Sequence, residues 1–401
     1  MLIKRDLLDI LTKDKGSFAL ILIGPRQCGK STLFAILSNG KYPEVTFDDF
    51  QIRNLAERDP ALFFAQYPPP LIVDEVQYSP NIFSEIKRII DQKKKERLLN
   101  NLPEEIQVLF YLTGSNQILL DKEVKETLVG RASYYHLNTL TVHEIRNAFP
   151  NYNLNEIIFK GGWPELYTNP ALDPVKYLND YIRNYIEKDI VVSAGITKKK
   201  EFHTVLGMLA ARTGNLLNHS SVAKDSGVKS VTVNEWTSVL ERTELLYLLP
   251  PIESNLNKRL IKSPKIYFLD TGLAVRLQGW IDFHPLLSSP QAGPLFETLV
   301  LAEIVKFIRN FGKNWKVSMW RTKEGEEVDF IIENESGEIL AIDAKLGIHN
   351  VDPIKIPNSL LATFPQMKQI IIVTYGGREL WLSKNCLQVP ISQLTQFLLN
   401  W

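Results

Sequence analysis

A chain of 401 residues is long enough for two to four domains and a sizeable buried core. Hydrophobic residues at 45%, charged residues at 23% and a formal net charge of +1 fit an ordinary soluble protein and exclude a global basic field, so any nucleic-acid contact needs a local patch. Two cysteines exclude a disulfide framework, and the absence of a signal-like apolar start or a long apolar run predicts a cytoplasmic protein with no membrane partner.

The first predicted element is a buried strand that runs into a phosphate-binding loop. Residues 20–23 are apolar, a G-x-x-x-x-G-K-S loop follows, and the next residues have helical spacing. Gly24 and Gly29 allow backbone amides to converge on phosphate. Lys30 can reach the β- and γ-phosphates, and Ser31 can ligate Mg²⁺. The whole loop is therefore predicted to bind ATP and Mg²⁺: Gly24, Pro25, Arg26, Gln27, Cys28, Gly29, Lys30, Ser31 and Thr32.

Two later strands are predicted to end in carboxylates. Residues 44–49 form a strand whose terminal acids either approach the metal or cap a surface loop. Residues 71–75 are apolar up to Asp74 and Glu75. Beside a phosphate-binding loop, Asp74 is expected to hold Mg²⁺ and Glu75 to polarise the attacking water. The adjacent acid pair predicts hydrolysis of the nucleotide.

A further strand over residues 108–112 is predicted to lie between the loop strand and the strand of Asp74. Its tip carries Ser115 and Asn116, which either contact the γ-phosphate and water or begin a capped turn. Arg131 precedes the next strand-like segment. It either acts as a finger toward a neighbouring subunit of a homo-oligomer or is a solvated, ion-paired arginine.

These motifs resemble a family of predicted AAA-type ATPases of bacteria and archaea with a nuclease-like C-terminal domain of unknown function. The resemblance covers nearly the whole chain and implies a P-loop ATPase fold. The motifs that carry it are Gly24–Thr32, Val73–Gln77, Leu112–Ser115, Gly130–Ser133, Gly161–Glu165, Tyr185–Asp189 and Ser263–Leu273.

The middle of the chain, residues 151–282, is predicted to be helical with a winged helix. Ser220 can cap a short helix, Gly227 supplies the turn, and Ser230 can cap a second helix. Residues 245–249 and 260–268 could form the wing. The second helix either enters a DNA major groove or docks a protein partner.

The last segment, residues 283–401, has the order helix, three strands, helix, strand, with the three strands predicted over residues 316–321, 327–333 and 339–345. This order resembles the restriction-endonuclease-like core. Asp329 and Asp343 on neighbouring strands are predicted to share Mg²⁺. Lys345 lies two residues from Asp343 and therefore points to the same strand face. There it can position water or stabilise charge on phosphate. Glu297 on the preceding helix can complete the metal shell or hydrogen-bond the site.

The predicted fold is therefore α/β: a P-loop ATPase domain over residues 1–150, a helical and winged-helix domain over 151–282, and a nuclease-like module over 283–401. The predicted function is DNA-associated ATP hydrolysis with a candidate Mg²⁺-dependent nuclease site. The alternative is a nucleotide-gated, non-cutting protein that docks a protein partner. A third reading is a switch that binds ATP and seldom hydrolyses it.

Overall fold

The computed structural model describes residues 2–100, 107–115, 127–252, 263–347 and 352–401, without the side chains of residues 187–189. Asn116 and part of the predicted wing lie outside these ranges. The chain forms two compact units, an N-terminal unit of Lys4–Asn138 with Arg309–Gly312, and a C-terminal unit of Met1–Ile3, Thr139–Ile308 and Lys313–Trp401. No helix within the described ranges combines the length and apolar character needed to cross a bilayer.

The N-terminal unit alternates strands and helices, the pattern typical of a parallel sheet. Its elements are α1 (Leu7–Lys13), β1 (Ala19–Ile23), α2 (Lys30–Leu37), β2 (Glu44–Thr46), α3 (Phe50–Arg58), α4 (Pro60–Gln66), β3 (Leu71–Asp74), a 3₁₀ turn (Val76–Tyr78), α5 (Ile82–Leu99), β4 (Phe110–Gly114) and β5 (Ala132–His136).

The sheet of this unit is parallel, with the strand order β2-β3-β4-β1-β5. The predicted insertion of β4 between β3 and β1 is thus confirmed. Alternate side chains of β1 enter two hydrophobic clusters, Ile21 with the α3–α5 side and Leu22 with the α1–α2 side. Because both faces are covered, the strands read as continuous apolar runs, which is why they could be recognised in the sequence.

The C-terminal unit begins with helices and ends in a mixed sheet. Its elements up to the middle of the chain are α6 (Val142–Ala148), α7 (Leu154–Lys160), α8 (Glu165–Thr168), α9 (Pro174–Tyr181), a π-helix (Ile182–Ile190), α10 (Val191–Ser193), α11 (Lys199–Ala210), β6 (Asn215–Leu216), α12 (His219–Ser226), α13 (Ser230–Arg242), β7 (Leu246–Leu249) and β8 (Lys265–Phe268). The remaining elements are α14 (Thr271–Leu277), α15 (Phe283–Leu287), α16 (Ala292–Asn310), β9 (Lys316–Arg321), β10 (Glu327–Glu333), β11 (Ile339–Lys345), α17 (Asn358–Thr363), β12 (Ile370–Thr374), β13 (Leu380–Ser383), β14 (Cys386–Pro390), a 3₁₀ turn (Ile391–Gln393) and α18 (Leu394–Asn400).

Two helices joined at Gly227 precede a small antiparallel sheet of order β6-β8-β7. The predicted helix–turn–helix elements are present, but both predicted caps are wrong. Asn218, rather than Ser220, caps α12 by accepting a hydrogen bond from the Ser221 amide. The cap position of α13 is Lys229, and Ser230 is already helical.

The last sheet has the order β13-β14-β12-β11-β10-β9, in which β9, β10 and β11 are antiparallel and β11, β12 and β14 are parallel. The three predicted strands match β9, β10 and β11 residue for residue. Val389 and Leu394 are buried, whereas the Trp381 side chain is exposed. Trp401 packs edge-on against Trp315.

The glycine motif at residues 161–162 packs against the start of α14. The Asp270 carboxylate accepts hydrogen bonds from the Gly162 amide at 2.9 Å and from the Leu273 amide at 3.1 Å. A Cβ atom on Gly161 would lie 1.9 Å from an Asp270 oxygen, so only glycine fits there. Two motifs far apart in sequence therefore form one structural joint.

Candidate functional site

The phosphate-binding loop joins β1 to α2 at the carboxyl edge of the parallel sheet. Its first glycine, Gly24, donates its amide to the Gly114 carbonyl at 3.3 Å, which ties the loop to the end of β4. A Cβ atom on Gly24 would lie 2.0 Å from the Leu137 carbonyl oxygen. The Cys28 thiol donates to that same carbonyl at 3.2 Å. The loop is thus fixed on both sides by neighbouring strands.

Lys30 and Ser31 open α2 and face the loop and β3. The buried Lys30 ammonium donates to the carbonyls of Gly24 at 3.0 Å and Pro25 at 2.9 Å. Ser31 Oγ donates to Asp74 Oδ1 at 3.0 Å, and Thr113 Oγ1 donates to the same oxygen. The predicted residues Lys30, Ser31 and Asp74 therefore lie together, and Thr113 is an addition that the sequence did not single out.

Glu75 follows β3 in the left-handed backbone region, with φ at 56°. Its Oε2 accepts hydrogen bonds from Ser115 Oγ at 2.7 Å and from the Ser115 amide at 3.2 Å. Gln77 Nε2 also donates to this oxygen. Burial raises the pKa of Glu75, but Lys30, Ser115, Gln77 and Arg26 outweigh it and hold the pKa below its ordinary value. Glu75 is therefore a buried, ionised carboxylate of fixed orientation.

Arg26 lies on the loop between two acidic side chains. Its Nη2 donates to the Tyr78 hydroxyl at 3.0 Å and lies 3.8 Å from Asp48 Oδ1. Its Nε lies 4.0 Å from Glu75 Oε1. Burial, followed by the charge of Glu75, raises the pKa of Asp48. Both alternatives predicted for the acids after β2 are present. Asp48 faces the loop through Arg26, and Asp49 caps α3.

Arg5 braces the loop from the segment before α1, a role that the sequence did not indicate. Its guanidinium donates to the Cys28 carbonyl at 2.8 Å and to the Asn138 carbonyl at 2.6 Å. Only 6% of Arg5 is exposed. Because the two carbonyls belong to the loop and to the segment after β5, Arg5 holds these two loops in fixed relation.

Arg131 is not brought to the nucleotide site of its own chain. It immediately precedes β5, and its carbonyl accepts the Phe18 amide at the edge of the sheet opposite the phosphate-binding loop. Its guanidinium makes a two-pronged ion pair with Asp91 at 2.7 and 2.9 Å. Of the two alternatives predicted for Arg131, the ion pair is present, one full strand length from the loop of the same chain, and the finger toward a neighbouring subunit stays a prediction. Thr32, also predicted to bind nucleotide, is exposed on α2.

In the C-terminal unit, β10 and β11 bring Asp329, Asp343 and Lys345 together. Asp329 Oδ2 accepts the Ala344 amide at 2.9 Å, and Lys345 Nζ lies 3.2 Å from Asp343 Oδ2. Burial, a hydrogen bond with Asp329 and the charge of Asp329 raise the pKa of Asp343 to about 8. Two carboxyl groups therefore compete for ionisation in one small space.

Glu297 faces the same cluster from α16 but is engaged by basic and hydroxyl donors. Its Oε1 accepts hydrogen bonds from Lys265 Nζ at 2.8 Å and from the Tyr267 hydroxyl. Burial, followed by the charge of Asp329, raises the pKa of Glu297 to about 7. Within the described part of the chain, no group of three or more histidine, cysteine or acidic side chains is arranged to hold a metal ion. The metal set of Glu297, Asp329 and Asp343 stays a prediction, and Lys265 stands among these carboxylates.

Three family models match successive parts of the chain. One described as an AAA domain matches residues 17–146. The other two are described as domains of unknown function, DUF8612 over residues 151–283 and DUF4143 over residues 292–394. Residues 17–146 are therefore similar to an AAA domain, and the two later matches carry no description of activity.

Relatives and solved structures resemble most of the chain at low identity. An uncharacterized protein of Mycobacterium tuberculosis and one of Mycobacterium bovis are each 26% identical over 379 residues, which is 94% of this chain and 80% of theirs. A Walker-type ATPase of Pyrococcus abyssi aligns with a TM-score of 0.39 and 14% identity, covering 69% of this chain and 96% of that one. The ORC2 protein of Aeropyrum pernix in ADPNP–ADP complexes aligns with a TM-score of 0.35 and 13% identity, covering 71% and 93%. Likeness at these TM-scores supports no inference.

Replacing Arg5 by Met is expected to destabilise the N-terminal unit by about 3 kcal/mol, because two buried carbonyls lose a charged donor. This corresponds to a fall of roughly 10 °C in its melting temperature. All seven tryptophans lie after residue 138, in the C-terminal unit. The melting transition followed by circular dichroism should therefore shift more than the transition followed by tryptophan fluorescence.

The matched control is Lys4→Met, since Lys4 is the neighbouring cation and pairs with Asp9 on the surface. We expect little change in this variant. Equal melting curves for wild type and Arg5→Met would contradict the bracing role.

Proposed function

We propose that this chain binds ATP and hydrolyses it with Mg²⁺ as cofactor. The observation that carries the proposal is that Lys30, Asp74 and Glu75 meet at one edge of the parallel sheet, with hydroxyl donors on both acids. The match of residues 17–146 to an AAA domain supports the same reaction. These groups supply phosphate binding, metal binding and a base within one site.

The residues around α2 fit a nucleotide with a divalent cation. Ser31 Oγ and Asp74 Oδ1 lie 3.0 Å apart and are hard oxygen ligands, the type that Mg²⁺ prefers. The Lys30 ammonium is already held beside the loop by two carbonyls, so phosphate oxygens can take over these hydrogen bonds. Bound Mg²⁺ supplies charge neutralisation on the phosphates.

Glu75 is the residue that we assign to the attacking water. Its lowered pKa leaves it ionised at neutral pH, which a proton acceptor requires. Ser115 and Gln77 hold Oε2, so Oε1 is the oxygen left to orient water. Arg26, 4.0 Å from Oε1, lies where a charge on the γ-phosphate would attract it.

DNA association is the second part of the proposal. The α12–turn–α13 segment followed by β7 and β8 supports a winged-helix reading, and Lys229 and Asn234 are exposed at the start of α13. Glu235 is exposed on the same helix and would repel phosphates. This carboxylate favours the alternative, in which α13 docks a protein partner.

A nuclease site is a second candidate function, favoured by one specific observation. Asp329 and Asp343 lie on adjacent strands, Asp329 accepts the Ala344 amide, and Lys345 Nζ lies 3.2 Å from Asp343 Oδ2. Burial and the neighbouring Asp329 raise the pKa of Asp343 to about 8, as expected for an acid placed to share a cation. Lys265, however, already contacts Glu297 and Asp329, so any Mg²⁺-dependent cleavage by the wild type should be slow.

Replacing Glu75 by Gln is expected to lower the kcat for ATP hydrolysis by about 100-fold or more, because the amide cannot accept a proton from water. ATP affinity should be retained, since Lys30 and Ser31 are unchanged. Phosphate release measures the first effect, and binding of a fluorescent ATP analogue measures the second.

The control is Glu57→Gln, an exposed acid on α3 outside the site. A slow wild-type rate that the Glu75→Gln change leaves nearly unaltered would contradict the ATPase proposal. That result would identify a nucleotide switch that seldom hydrolyses ATP.

Replacing Gln77 by Leu is expected to lower kcat about tenfold, because Glu75 loses one of the donors that fix its orientation. KM should stay within about twofold, since Gln77 lies away from the loop contacts of Lys30. The same change at Gln66, exposed at the end of α4, is the matched control. Unchanged kcat in Gln77→Leu would rule out the positioning role.

Nicking of supercoiled plasmid in Mg²⁺ tests the second candidate. We expect slow nicking by the wild type and none by Asp343→Asn, because the amide removes a metal-binding charge. Asp352→Asn, at an exposed acid of the same unit, should nick like the wild type. If the wild type does not nick DNA at any Mg²⁺ concentration, the non-cutting alternative stands.

A further inference from the structure

Lys265 on β8 points into the carboxylates of the C-terminal sheet. Its Nζ lies 2.8 Å from Glu297 Oε1, 2.5 Å from Glu327 Oε1 and 3.7 Å from Asp329 Oδ1. Only 3% of Lys265 is exposed. The ammonium group is therefore a buried cation in contact with three carboxylates.

The alternation of β8 explains why this lysine is aimed inward. Lys265 and Tyr267 are two residues apart and so share one face of the strand. Tyr267 is fully buried, and its hydroxyl donates to Glu297, the acid that also accepts from Lys265. The tyrosine thus holds Glu297 in the orientation that receives the ammonium.

The charges of the cluster nearly balance without any metal. The acids are Glu297, Glu327, Asp329 and Asp343, and the cations that pair with them are Lys265, Lys345 and Arg321. A divalent cation would bring two further positive charges to a group that already has three. Removing Lys265 would leave an excess of negative charge that suits a divalent ion.

The position of the ammonium conflicts with the metal expected in a nuclease-like core. Mg²⁺ requires oxygen ligands at about 2.0–2.1 Å in nearly octahedral order. The Glu297 and Asp329 oxygens surround Lys265 Nζ instead, and no metal-holding group was found among the described residues. The carboxylates thus do not fit the metal while Lys265 stays in place.

We propose that Lys265 is the resident cation of this cluster and weakens the binding of divalent metal to it. This inference rests on the second candidate function, since it concerns the same carboxylates, and it is independent of ATP hydrolysis. Lys265 determines which cation the cluster accepts, by occupying the place where a divalent ion would contact Glu297 and Asp329.

The test measures Mn²⁺ binding to the full chain without nucleotide, using the electron paramagnetic resonance signal of free Mn²⁺. Lys265→Met should bind Mn²⁺ about tenfold more tightly than the wild type, or better, because a buried positive charge is removed from beside the carboxylates. Adding Asp343→Asn to Lys265→Met should abolish the gain, which assigns it to this cluster rather than to Asp74.

Lys316→Met is the matched control, because Lys316 pairs with Glu333 at 3.8 Å on the surface of the same sheet. It should leave Mn²⁺ binding unchanged. The inference would be overturned if the wild type and Lys265→Met bound Mn²⁺ equally tightly and if Asp343→Asn abolished that binding in both backgrounds. Absence of DNA nicking by every variant would instead overturn only the nuclease candidate, so the two failures are distinguishable.

A second readout uses the folded wild type, in case Lys265→Met does not fold. Acetylation by acetic anhydride, followed by mass spectrometry of the peptides, compares Lys265 with the exposed Lys316. We expect Lys265 to react at least tenfold more slowly, because its ammonium is buried and paired. Equal reaction rates would overturn the inference.

Discussion

The register of β3, β4 and β1 is the constraint on which the nucleotide site depends. Val73 is paired with Leu112, and Ile23 is paired with Gly114, so the chain leaves three strands at the same level of the sheet. The phosphate-binding loop therefore begins beside two other features. These are the acids Asp74 and Glu75 at the end of β3 and the hydroxyl groups of Thr113 and Ser115 at the end of β4. A one-residue slip of β3 would turn Asp74 to the other face of the sheet and break its hydrogen bonds to Ser31 and Thr113.

The same chemical group, a buried carboxyl, has opposite properties in the two units. Burial alone would raise the pKa of both Glu75 and Asp343. Lys30, the hydrogen bonds from Ser115 and Gln77, and Arg26 reverse this effect at Glu75, which stays ionised and can accept a proton. At Asp343 the neighbouring Asp329 adds to it, so a proton or a cation must be shared. Neighbouring charges and hydrogen bonds, rather than burial alone, therefore decide which carboxyl can act as a base at neutral pH.

The sequence predicted elements with a strong local pattern and missed contacts between distant segments. Strands β9, β10 and β11 are rich in apolar residues and separated by polar turns, and their bounds were predicted residue for residue. Arg5, by contrast, contacts a carbonyl 133 positions away, and no local pattern marks such a partner. The caps of α12 and α13 were misplaced by one or two residues, since several neighbouring polar side chains satisfy the same rule. Carboxylates of a candidate site can be read from a sequence more readily than the cation that neutralises them.

The cation in question, Lys265, belongs to a different sheet from Glu327 and Asp329, two of the acids that it pairs with. The two sheets are nevertheless continuous at one point, where Ile252 donates its amide to the Met319 carbonyl at 3.0 Å and Met319 donates to the Pro250 carbonyl at 2.9 Å. Because β8 pairs with β7, which leads directly into this junction, the ammonium of Lys265 is held by backbone hydrogen bonds as well as by charge. Lys265 can leave the carboxylates only if its side chain adopts another rotamer or if the pairing of β7 with β8 breaks. A ligand of α12 or α13 would therefore act on the cluster only through a second arrangement of β7 and β8, because coupling between sites requires an element with two discrete states.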